Sequence, residues 1–101
     1  MFVRNVKGHF KEPEGYDSWL DWWRDHAPEG IVATECQNHD CDESDNLVGA
    51  HVYHDGHPDG DIYVVPLCYT HNHYTYTKVM QIDDPRFLVR MPNELLVKDT
   101  E

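Results

Sequence analysis

Two short ligand-type pairs constrain this chain more than any other feature. CQNHDC carries Cys36 and Cys41 in a C-x4-C pair, and PLCYTH carries Cys68 and His71 in a C-x2-H pair. Together they supply three sulfurs and one nitrogen, a full tetrahedral set for one structural Zn2+ ion. Each pair suits a tight turn that points two donors inward, and a bound ion would close the long loop between the turns. Buried apolar thiols would explain the cysteines singly, but not two spaced pairs that use all 3 cysteines of the chain. His39 and His73, each close to a pair, are the substitutes if one assigned ligand is wrong.

A metal clamp also suits the chain's size. A 101-residue chain builds one domain with a modest core, so residues 1–101 are expected to form a single zinc-binding unit. Hydrophobic residues make up 40% and aromatics 12%, enough for a folded core. The odd cysteine count argues against a disulfide framework. FVRNVKGHF, after Met1, has charges where a signal peptide needs an apolar core, and no apolar run reaches membrane-spanning length. The expectation is a cytoplasmic protein with reduced, metal-bound thiols.

The formal net charge of -11, from 19 acidic against 8 basic residues, works against direct nucleic-acid binding, which needs Lys and Arg to neutralise phosphates. Arg4, Lys7, Lys11, Arg24, Lys78, Arg86, Arg90 and Lys98 are scattered and form no basic stripe in the sequence. Such acidity serves solubility first, and it also suits a protein partner with a basic surface.

Along the chain, Phe2 to Val6 alternate weakly and are read as a short strand. KEPEGYDS is a loop. Asp17 or Ser18 then caps a helix through WLDWWRDH, where Trp19, Leu20, Trp22 and Trp23 form a wide apolar face. Three tryptophans so close suggest a stacking platform, but in a domain this small they are expected in the core, over the metal-bound sheet. Pro28 and Gly30 end the helix, and Ile31 to Thr34 run extended into the first ligand pair. The acidic stretch DCDESDN reads as a solvated turn. Leu47–His54 and Asp61–Leu67 read as the strands of a hairpin around the turn cluster HDGHPDG. YTHNHYTYTK starts a short helix whose first turn carries His71. Phe87 to Met91 is expected to close the sheet, and NELLVKDTE to form a polar-ended tail.

This order of knuckle, hairpin and ligand-bearing helix resembles the treble clef. The elements CQNHDC, GAHV and VPLCYTHN, over residues 31–78, resemble the HNH (ββα-metal) nuclease superfamily. The chain is also similar to a group of small bacterial proteins with a GAHV and PLC-x-x-HN pattern. The resemblance implies a small zinc-stabilised α+β fold with the tryptophan helix packed on it.

It also implies that His51 occupies the place of the general base. An acidic residue usually precedes that histidine, but Ala50 stands here. DIYVVPLC lacks the asparagine that usually orients the base. Asn72 follows His71 where a metal-binding histidine is usual, and a histidine comes only at His73. With these positions missing or displaced, the expectation is a non-catalytic HNH-like binding or accessory module for a protein, such as a nucleic-acid-processing partner, with no catalytic residues. On this reading His51 is a strand histidine supporting the zinc site from outside. The alternative is a metal-dependent endonuclease with His51 as base and His73 as metal ligand. A second cation site from Asp55, His57, Asp59 and Asp61 is disfavoured, because acidic turns are usually just solvated.

Overall fold

The computed structural model describes residues 1–96. The strands are β1 (Phe2–Asn5), β2 (Leu47–His54), β3 (Ile62–Cys68), β4 (Met80–Gln81) and β5 (Val89–Arg90), and the helices are α1 (Trp19–His26) and α2 (Tyr69–Asn72). The strands form one antiparallel sheet in the order β4-β1-β2-β3-β5. With helices packed onto one antiparallel sheet, this is a small α+β architecture.

The β2–β3 hairpin is the spine, in register from Leu47 opposite Cys68 to Tyr53 opposite Ile62. Strand alternation then sorts residues between two cores. Ala50, Val52, Val65 and Leu67 join Val3, Met80, Ile82, Cys36 and Cys68. Val64 instead joins Phe10, Met91 and the tryptophans. Pro66 lies within β3, where a missing N–H would normally break a ladder. It is tolerated because β5 pairs only with Tyr63 and Val64, so no neighbouring strand needs an N–H from Pro66, and its carbonyl accepts from Gln37 N–H instead.

Helix α1 begins where Ser18 accepts a hydrogen bond from Asp21 N–H at 3.1 Å, and ends where Ala27 N–H donates to the Trp23 carbonyl. Trp19, Leu20, Trp22 and Trp23 are all buried, which makes them core and not a stacking platform. Trp23 also donates its indole N–H to the Phe87 carbonyl at 2.8 Å. The helix packs on the sheet as expected, but on the face away from the cysteines. Gly49 makes this approach possible. A Cβ there would lie 2.6 Å from Trp19 C and Leu20 N, so only glycine lets the first turn of α1 sit on β2.

Strand β1 is one residue shorter than expected, although Val6 N–H still donates to the His51 carbonyl. Helix α2 is a single turn. The stretch expected as a closing strand from Phe87 to Met91 divides into a 3-10 turn (Pro85–Phe87) and the two-residue β5. Asp84 nucleates that turn by accepting from Arg86 N–H at 3.0 Å. Strand β4 was not anticipated. Of the expected tail, Asn93–Leu95 forms a 3-10 turn, and its last residues lie outside the described ones. Among the described residues no helix is long and apolar enough to cross a membrane.

Candidate metal centre

The first ligand turn is made by its own backbone. Cys36 N–H donates to the Glu43 carbonyl at 2.8 Å, and Cys41 N–H donates to the Asn38 carbonyl at 3.0 Å. Asp40 takes a left-handed φ of 64° between them, a conformation that Asp tolerates better than most residues. The turn is then stitched to the sheet on two sides. Gln37 N–H donates to the Pro66 carbonyl on the edge of β3. Asn38 bridges to Ile82, and His39 N–H donates to the Gln81 carbonyl at 2.7 Å. The short β4 therefore anchors the ligand loop.

The second pair sits where β3 runs into α2, with Cys68 as the N-cap and His71 in the turn. Asn5 holds this turn through its side-chain N–H groups, which donate to the His71 carbonyl at 2.7 Å and the Tyr76 carbonyl at 3.1 Å. Tyr76 packs edge-on against the His71 ring. Asn5 carries no sequence signal for this role, because its partners lie far along the chain.

The four donor atoms of Cys36, Cys41, Cys68 and His71 all lie within 4.8 Å of one another. His71 Nδ1 is 3.5 Å from Cys36 Sγ and 3.2 Å from Cys68 Sγ. A tetrahedral ion with ordinary zinc–sulfur and zinc–nitrogen bonds would set such an edge at about 3.6 Å. The residues present therefore fit one metal ion, with Nδ1 as the imidazole donor. Cys36 and Cys68 are buried, whereas Cys41 and His71 are half-exposed, so the centre lies at the edge of the core. Burial pushes the Cys36 thiol up to about 12, and the nearby Cys68 sulfur acts in the same direction. Such a thiol becomes a thiolate when a cation takes the proton's place.

The substitute ligands are engaged elsewhere. His39 contacts Asp83 at 2.9 Å and Asp40 at 3.3 Å, and its hydrogen bond to Asp83 raises its pKa. His73 uses Nδ1 on Thr75. Nor do the hairpin acids converge: Asp55 pairs with Arg4 at 2.7 Å and Asp61 with Arg90 at 3.3 Å. Among the described residues, the Cys3His group is the one set of three or more His, Cys, Asp or Glu side chains that converges.

The expectation that His51 supports the metal site is corrected. Odd positions of β2 face α1, so His51 points away from the cysteines. Its ring packs against Phe10 and Trp19, with centroids 4.5 and 4.7 Å away. Burial lowers its pKa to about 4, which leaves the ring neutral near pH 7. His51 and His73 do line one cleft, together with Arg4, Lys7, His9, Trp19 and several tyrosines. No family model, curated protein or solved structure matches this chain.

Proposed function

We propose that this chain is a zinc-closed binding module of treble-clef type, HNH-like in layout, that docks on a protein partner with a basic surface without cutting nucleic acid. The convergence of Cys36, Cys41, Cys68 and His71 carries the reading. Four protein ligands satisfy a tetrahedral zinc and leave no position for substrate or catalytic water, so the ion would contribute folding energy and not Lewis-acid chemistry. The order of ligand turn, β2–β3 hairpin and α2 supports the treble-clef layout. The excess of 19 acidic over 8 basic residues supports a basic protein partner, which would be steered electrostatically. Pull-downs with the metal-loaded protein at low and high salt test this. A reproducible partner lost at high salt supports the reading, and no partner at either salt contradicts it.

A metal-dependent endonuclease is the second reading, favoured by His51 and His73 lining the same cleft. Two observations weigh against it. Among the described residues no carboxylate lines that cleft to hold a cation, and a histidine with its pKa lowered to about 4 is a weak base at neutral pH. Incubation with plasmid and magnesium, manganese or nickel separates the readings. Cleavage that disappears in His51→Ala would put the nuclease first.

A further inference from the structure

The four donors of the metal centre are not held alike. Cys68 ends β3, in register with Leu47. Cys36 and Cys41 each give a backbone N–H to a carbonyl within their own loop. His71 has neither kind of support. It sits in α2, a helix of 4 residues, too short to stand on its own hydrogen bonds. Its capping bond, from His73 N–H to the Thr70 carbonyl, is long at 3.4 Å. The carbonyls beyond it have no partner within the helix, as at every helix end.

Asn5 supplies what this turn lacks. Its side-chain amide donates to the His71 carbonyl at 2.7 Å and to the Tyr76 carbonyl at 3.1 Å. Those two acceptors fix which way the amide points, because the reverse orientation would set its oxygen against two carbonyl oxygens. The consequence is that Asn5 Oδ1 is buried with no hydrogen-bond partner among the described residues. Leaving a buried acceptor unpaired is unfavourable, and an apolar side chain of the same size would avoid it. An amide at this position is therefore accounted for by its two donors.

The sheet in turn fixes Asn5. It lies opposite Val52 in the β1–β2 ladder, and Val6 beside it donates to the His51 carbonyl at 2.9 Å. Arg4, its other neighbour, donates from Nη1 to the Thr77 carbonyl at 2.9 Å. The end of β1 thus clasps the segment 71–77 at the carbonyls of His71, Tyr76 and Thr77. Tyr76 packs edge-on against the His71 ring, with centroids 4.9 Å apart, so the clasp reaches the imidazole itself.

We propose that Asn5 is the positioning residue of the metal centre: by capping the turn that carries His71, it aims Nδ1 at the ion and ties closure of the imidazole arm to the pairing of β1. This rests on the reading that Cys36, Cys41, Cys68 and His71 hold one ion. Groups that orient a metal ligand from outside typically contribute about 10–100-fold in metal affinity.

The test loads the full chain with Co2+, which accepts the same sulfur and nitrogen donors as zinc and reports them by absorption. Charge-transfer bands follow the thiolates, and d–d bands follow the geometry and the remaining ligand. Wild type should bind one Co2+ per chain with a tetrahedral spectrum. Asn5→Leu, near in size and without donors, should keep the thiolate bands and shift the d–d bands toward those of His71→Ala. It should also bind Co2+ about 10–100-fold more weakly. Asn5→Ser, which keeps one donor, should fall between the two, and it decides the matter where Asn5→Leu does not fold. Val64→Ala truncates the core on the tryptophan face and should leave the d–d bands in place, which separates positioning from a general loss of stability. A wild-type spectrum in both Asn5 variants, or the same shift in Val64→Ala, would overturn the role of Asn5 and leave the metal centre standing. No Co2+ uptake by the wild-type chain would refute the metal centre, and the role of Asn5 with it.

Discussion

On one face of the sheet, Cys36 and Cys68 are buried among small aliphatic side chains, with donors aimed at a common point. On the other face, Trp22 and Trp23 bury large rings against Val64 and Met91. The metal face gathers three thiols and an imidazole around one point, so it closes by chelation. The tryptophan face closes by removing apolar area from water, which needs no ligand. A small domain can thus divide its stability between an ion and a compact aromatic core. The two halves should fail differently when perturbed.

The largest effect is expected on the metal face. Cys36→Ser or Cys68→Ser should lose both the ion and the fold, because metal binding and folding are one process there. Metal analysis with circular dichroism checks this, and a native-like spectrum from a metal-free variant would remove the contrast between the faces. Trp23→Ala should cost about 3–5 kcal/mol, as expected for a large buried aromatic. Any fraction still folded in denaturant titration should nevertheless retain one metal ion per chain. Gly49→Ala should cost about 3 kcal/mol through the clash with the first turn of α1, again with metal content unchanged.

Acid should sharpen the comparison further. His51 has its pKa lowered to about 4, against about 6.5 in the unfolded chain. Between those values the unfolded chain binds the extra proton, so stability falls as pH drops from about 6.5 to 4. The loss should be about 2–3 kcal/mol. Ligand protonation also releases the metal in acid. The contribution of His51 is therefore the difference between the wild-type and His51→Phe pH profiles, and parallel profiles would contradict it. His57→Ala, in the exposed hairpin turn, should lie within about 0.5 kcal/mol of the parent.

What was legible in the sequence follows from the range of each interaction. Ser18 as a cap, the helix over Trp19–His26 and the strand Leu47–His54 are set by local chemistry, and the structure has all three. The Cys3His set was legible because its spacing implies turns that aim donors together. Less legible was anything depending on residues distant in sequence. Strand β4 is two residues long and exists through pairing with Phe2 and Val3, so it has no periodicity to read. His51 lies on the face opposite the metal, against Phe10 and Trp19, and a motif position carries no information about which face the metal occupies. The alternation of Ala50 and Val52 toward the cysteine core decides that. The cleft was hidden for the same reason: Asn5, Trp19, His51 and His73 come from four separated segments.

The central claim is that one ion joins Cys36, Cys41, Cys68 and His71 and that the metal face folds around it. Elemental analysis of freshly purified protein, followed by near-ultraviolet circular dichroism during chelator titration, tests it most directly. The account predicts one zinc per chain, with the aromatic signal collapsing in step with zinc removal and returning when zinc is restored. Protein that carries no transition metal and keeps its aromatic signal in excess chelator would contradict it.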